Sequence, residues 1–390
     1  VLLGAIEAVW GLRQLYGFSV SGHSRYALTG SFFNPGPYGG YLAMILPVCL
    51  HLYLRTCEWK STDVLHKIEK VTAGFAGILI LCVLPATMSR SAWIAAAISC
   101  AWVAYMHRDR RKWSVLWRRY KKRYLTWGVV GLFVLILGGA GIFFLKPDSA
   151  MGRLFMWKIT CKAIVEHPWG CREGFVYAYG EAQEKYFGSG DYAVWEERVA
   201  GSPEYAFNEY LELALTAGVM LGVMFFSTIG AGLWLGTKWG RYEICGALIS
   251  LLVFSFSSYP MHFPVFMVTG ICLLFACGAG DVGGKFLICG TCALIWTVGL
   301  NGKWQREEDA CRDWVYARML YHQGNYTAAN EAYHKLYPQL DERGEFLFEY
   351  GHSLYKSGRY DLSNSFLEQA ALYSTCLLYT SPSPRDSTSS

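Results

Sequence analysis

Charge is scarce in this chain. Only 17% of its 390 residues are Asp, Glu, Lys or Arg, against roughly 25% in a soluble domain. Histidines at zinc spacing to cysteine are also missing. Most of the 13 cysteines lie in apolar runs, where Cys behaves as a small hydrophobe. No metal site is therefore expected, and no cofactor is invoked. Cys161 and Cys171 share one long polar segment, and an oxidising compartment would allow them to pair. The chain also lacks a starting Met. It opens with Val1 inside an apolar stretch, so further spans are expected upstream.

What is present is apolar sequence: 53% hydrophobic residues and a mean hydropathy of +0.21. Runs of about 18 or more apolar residues read as membrane helices, because about 20 residues are needed to cross the hydrocarbon. Spans are expected at 1–17, 38–55, 71–87, 92–106, 125–145, 210–236, 243–259, 262–278 and 286–300. The fold class is thus all-α, a polytopic bundle in the lipid bilayer. Positive charge gathers in the connections 56–70, 107–124 and 237–242, with Lys60, Lys67, Lys70, Lys238 and Arg241. The densest cluster is HRDRRKWSVLWRRYKKRY at 107–124. Such loops stay in the cytoplasm, and no nucleic-acid partner is invoked. Counting spans from them places 18–37, the Arg90 turn, 146–209 and everything after Asn301 on the opposite side.

Residues 1–300 therefore read as a membrane domain that carries one large polar segment, 146–209. After it, 305–375 reads as a helical repeat. Tyr316, Leu320, Gly324 and Tyr326 recur as Tyr350, Leu354, Gly358 and Tyr360, each 34 residues on, the tetratricopeptide period. Residues 376–390, rich in Ser and Pro, break the repeat and read as a non-native or disordered tail.

Four segments carry chemistry. Thr29 to Gly40 (TGSFFNPGPYGG) is a turn in which Asn34-Pro35 starts a helix, or a shaped wall beside a substrate groove. Arg90, in Ser89-Arg90-Ser91, lies between two apolar spans, where a charge is functional or reaches back to headgroups. Arg153 and Trp157 share one helix face at i, i+4. Arginine's planar fork suits phosphate, whereas Trp157 suits a sugar ring or the membrane interface. Finally, Glu204 to Leu211 places Asn208 and Glu209 where the chain re-enters the membrane. A carboxylate there takes a hydroxyl proton or simply caps a helix.

In order, these segments resemble the O-antigen ligase / O-antigen polymerase family of bacterial inner-membrane proteins. The resemblance runs from Gly30–Gly40 through Ser89-Arg90, Arg153, Pro168-Trp169-Gly170 and Asn208-Glu209 to Gly222. It implies glycan transfer from an undecaprenyl diphosphate to a hydroxyl acceptor in the periplasm, without metal or nucleotide. That acceptor is lipid A core, another glycan or a protein. Arg90 and Arg153 match the positions that the resemblance assigns to the diphosphate; Glu209 and Asn208 fall at the acceptor side. Asn34, Trp157 and Glu204 are expected to line the substrate. One departure stands out: ligases carry a histidine just before the Asn-Glu pair, and here it is Phe207. A protein O-oligosaccharyltransferase, a non-enzymatic carrier of lipid-linked glycans, or a scaffold that binds a protein partner through the repeats would share much of this pattern.

Overall fold

Asn34 shows how local chemistry sets the helices. Its Oδ1 accepts from the Gly36 N–H at 3.1 Å, and Pro35 takes the first helical position, where no N–H is needed. The helix that follows, α2 (Pro35–Glu58), is central to its unit. The computed structural model describes residues 1–23, 26–58, 64–108, 147–171, 174–278, 303–341 and 343–373. Among these the only regular structure is helical. The expected spans 125–145 and 286–300, most of the basic cluster and the 376–390 tail lie outside the described residues.

The described residues divide into two compact units. The first comprises Val1–Ala150, Phe207–Tyr210 and Met224–Thr291. Its helices include α1 (Leu2–Leu15), α2, α3 (Val64–Val83) and, after a 3-10 turn at Leu84–Thr87, α4 (Arg90–His107). α2 packs on α3, on α4 and on a later helix, Tyr242–Ser255. Glycines set these approaches. A Cβ on Gly40 would stand 2.4 Å from the Phe254 ring, and one on Gly39 would stand 3.0 Å from Thr87 Oγ1. Ala43, Ala76, Ile80, Ala92, Ala95 and Phe254 fill the core. On α3 the opposite face carries Ile68, Val71, Phe75 and Ile78, all more than half exposed. An apolar stripe that wide fits lipid rather than water. Among the described residues, three helices are long and apolar enough to span a membrane: Pro35–Cys57, Val64–Thr87 and Val219–Lys238. Helices Tyr242–Ser255 and Pro264–Gly278 are apolar but shorter, and α1, expected as a span over 1–17, has 14 residues.

Gln14 ties α1 to the turn before α2. Its Oε1 accepts from Thr29 N (2.9 Å) and Gly30 N (2.7 Å), and its Nε2 donates to Gly30 O at 3.0 Å. The side chain is buried. Gln14→Leu keeps volume but strands these backbone groups, each worth about 1–3 kcal/mol when buried and unpaired. The expected result is a loss of about 3 kcal/mol, seen as a lower Tm in thermal unfolding of the purified protein. An unchanged Tm would contradict the role of Gln14.

The second unit comprises Met151–Ala206, Leu211–Val223 and Cys292–Ser390. The polar segment 146–209 is mostly helical: α5 (Pro147–Glu166), α6 (Phe175–Gly188) and α7 (Val194–Val199). Phe155, Ile159, Phe175, Tyr179 and Leu215 form its core. Glu196 is buried against α5, where Lys158 Nζ lies 2.6 Å from Oε1 and the Tyr186 hydroxyl donates to Oε2 at 2.7 Å. Burial alone would push this carboxyl up. The Lys158 ammonium, the Ala193 N–H and the Tyr186 hydroxyl outweigh burial and hold it below the usual carboxylate range. Cys161 is exposed and Cys171 is buried, both as free thiols.

The single span expected at 210–236 is two helices, α8 (Glu209–Thr216) and α9 (Val219–Lys238). Gly218, at φ +93°, breaks the run. Then come α10 (Tyr242–Ser255), a 3-10 turn at Pro260–His262 and α11 (Pro264–Gly278). The C-terminal region holds two helical hairpins, α12 (Lys303–His322) with α13 (Tyr326–Leu340), and α14 (Gly344–Lys356) with α15 (Tyr360–Tyr373). Their turns pass through Gly324 (φ +78°) and Gly358 (φ +80°), left-handed positions that suit glycine. Tyr333, Phe346 and Tyr350 pack between the hairpins. Within the second unit, α15 packs on α6.

Candidate functional site

Four sequence segments meet inside the first unit. The Asn34–Gly40 turn lies against Ser89-Arg90, since a Cβ on Gly39 would be 3.3 Å from Ser89 Cβ. Trp93 braces that second turn by donating from Nε1 to Leu84 O at 2.8 Å. Arg90 is half-buried as the first residue of α4. The Asn34 amide Nδ2 donates to the Tyr259 hydroxyl at 3.3 Å. Tyr259 in turn meets Phe207 edge-on, with centroids 5.0 Å apart and planes at 81°. Asn208, next in the chain, is buried and caps α8: its Oδ1 accepts from Tyr210 N at 3.0 Å. Glu209 Oε1 accepts from Met261 N at 2.7 Å.

Both asparagines singled out from the sequence thus use their carbonyl oxygens as helix caps. The Asn34 amide in turn goes to the Tyr259 hydroxyl. Met88 and Phe207 are the two non-glycine residues with positive φ among the described residues, at 51° and 50°. One comes immediately before Ser89-Arg90 and the other immediately before Asn208-Glu209. Left-handed backbone at a bulky residue costs about 1–3 kcal/mol and concentrates at functional sites.

Arg153, Trp157 and Glu204 belong to the second unit. Arg153 and Trp157 are half-buried on α5, and Glu204 is exposed. Trp157 Nε1 donates to Ala206 O at 3.2 Å, and Ala206 N donates to Glu212 Oε2 at 2.9 Å. The indole therefore anchors the chain just ahead of Phe207. His167 lies 3.8 Å from Glu181, in the same unit. Pro168-Trp169-Gly170 closes on the α8–α9 break: Val219 N donates to Pro168 O (3.1 Å) and Cys171 N to Leu215 O (2.8 Å).

Residues 75–226 match the family model Wzy_C, O-Antigen ligase. No curated protein and no solved structure gives a significant match. The O-antigen ligase match takes in Arg90, Arg153, Trp157, Glu204, Asn208 and Glu209, and leaves Asn34 and the 259–263 segment outside it. With the apolar helices, it supports a multi-pass membrane protein and a glycosyltransferase-like role in O-antigen or other polysaccharide biosynthesis, acting on a lipid-linked glycan.

The sequence reading passed over Tyr259 and Met261, the partners of Asn34 and Glu209. A signal was present. Ser257-Ser258-Tyr259-Pro260-Met261-His262-Phe263-Pro264 interrupts apolar sequence with two prolines and polar rings. The spans expected at 243–259 and 262–278 take in both ends of this segment.

Proposed function

We propose that this protein transfers a glycan from an undecaprenyl diphosphate to a hydroxyl acceptor at the periplasmic face of the bacterial inner membrane, as a polysaccharide ligase or polymerase. The observation that carries the reading is the gathering of the Asn34 turn, the Ser89-Arg90 turn and Asn208-Glu209 in one unit, two of the three within the O-antigen ligase match. In this reading Arg153 and Arg90 neutralise the departing diphosphate, where charge develops as the C1–O bond breaks. Glu209, with Asn208, orients or deprotonates the acceptor. Glu204 and Trp157 border the path of the glycan. The repeats stand on the same side of the membrane as 146–209, in keeping with the packing of α15 on α6, and serve as an accessory surface for the acceptor or a protein partner.

The reading is tested with purified protein in liposomes carrying a lipid-diphosphate glycan and a hydroxyl acceptor. A new glycosidic bond, with release of the lipid diphosphate, is the expected outcome. Movement of the glycan lipid across the bilayer without bond formation would make the protein a carrier instead.

A further inference from the structure

We propose that His262 takes the proton from the attacking hydroxyl, the duty that Phe207 cannot perform. The inference rests on the glycan-transfer reading above and deepens it. Its basis is the way the Pro260–His262 turn wraps the segment before α8. Phe207 packs edge-on against Tyr259 at 5.0 Å, and Tyr259 and His262 have ring centroids 6.5 Å apart. Between those two residues, Met261 N is held by Glu209 Oε1 at 2.7 Å. The same Tyr259 hydroxyl receives the Asn34 amide. His262 is thus delivered, from 55 residues downstream of Phe207 in the sequence, to the segment where Asn208 and Glu209 sit. It is half-buried, neither sealed in the core nor fully in solvent.

The other groups there are poorer bases. Phenylalanine has no lone pair to offer. The amides of Asn34 and Asn208 do not take protons, and their oxygens cap helices. Glu209 Oε1 already accepts from Met261 N, so this carboxylate is engaged in holding the turn that carries His262. Imidazole is the side chain whose ordinary proton affinity suits transfer near neutral pH. In the step, the acceptor O–H proton passes to an imidazole nitrogen as the oxygen lone pair forms the new bond to the sugar C1. The C1–O bond to phosphate breaks, and its electron pair leaves with the lipid diphosphate. The imidazolium then returns its proton to water. Glu209, whose carboxylate grips the residue next to His262, steadies the positive charge.

The test compares wild type, His262→Gln, and His262→Gln combined with Phe207→His in the liposome assay. Glutamine keeps hydrogen-bonding capacity but takes no proton. General-base loss is worth about 100-fold or more, so His262→Gln is expected to fall by that factor while binding of the lipid-diphosphate glycan is retained. Phe207→His, which puts an imidazole on the facing segment, is expected to restore at least about tenfold of that loss. Transfer by His262→Gln at the wild-type rate, or a double variant no better than the single one, overturns the assignment of His262 alone. A wild type that forms no bond at all overturns the glycan-transfer reading, and this inference with it.

Discussion

Arg153→Ala is expected to lower glycan transfer by about 100- to 1,000-fold, the usual loss when one preorganised stabiliser of developing charge is removed. The physical argument concerns the leaving group. In the proposed transfer a diphosphate ester gains charge as the sugar C1–O bond breaks, and an uncompensated charge is expensive wherever water is excluded. A guanidinium stays protonated and presents two parallel donors. Arg153→Lys retains the charge and loses the fork, so an intermediate loss of about tenfold is expected. Arg153 is half-buried on α5, one turn before Trp157, whose indole already holds Ala206. The apolar core of this unit is built from Phe155 and Ile159, and thermal unfolding of both variants checks that it survives the substitution. Glycan ladders from cells that carry each variant as the sole copy provide the measurement. A full-length ladder from Arg153→Ala would remove this residue from the mechanism.

The second large effect is structural. Gly218→Val is expected to destabilise the second unit by about 4 kcal/mol, from left-handed strain and a clash with rigid backbone. A Cβ on Gly218 would stand 2.7 Å from the Trp169 carbonyl carbon. One on Gly170 would stand 2.7 Å from Thr216 O. The two glycines, at φ +93° and +96°, let two backbone segments lie against each other. The hydrogen bonds Val219 N to Pro168 O and Cys171 N to Leu215 O fasten them on either side. No flexible side chain is available to yield. The expected readouts are a lowered Tm and rapid proteolysis within 151–206. Gly222→Ala is the control: a Cβ there meets only Ala214 Cα at 4.0 Å, so stability should hold. Equal Tm values for Gly218→Val and wild type would refute the account of this junction.

The junction also shows why a single span at 210–236 was expected. Hydropathy runs on through Ala217-Gly218, and one glycine in an apolar run is compatible with a helix interior. What stops α8 is a contact with Gly170, 48 residues earlier in the chain, which no local pattern displays. Beyond the helix face read at Arg153 and Trp157, the helical character of 146–209 is masked for a related reason. Its polar surface residues mask the apolar positions Phe155, Ile159 and Tyr179 that pack across three helices. Trp157 illustrates the same limit. Its residue type suits a sugar ring or a membrane interface, and the fold gives its N–H to the Ala206 carbonyl.

Local chemistry, by contrast, was legible. Asn34-Pro35 reads as a cap followed by a first helical residue, and α2 starts there. Ser89-Arg90 reads as a tight turn, and Met88 makes it in a left-handed conformation. The 34-residue recurrence reads as two hairpins, and Gly324 and Gly358 turn both at nearly the same φ. Caps, turns and periodicity are decided within about four residues, so sequence alone determines them. Sequence alone likewise determined the membrane-scale apolar runs and the order of the polar motifs along them. Tertiary structure alone decided which helix ends meet. It brought Asn34, Ser89-Arg90 and Glu209 to one place, and set Tyr259 and Met261 between them. The physical reason is that those meetings depend on glycine-permitted backbone approach and hydrogen bonds across tens to hundreds of residues, and these exist only once the helices have packed.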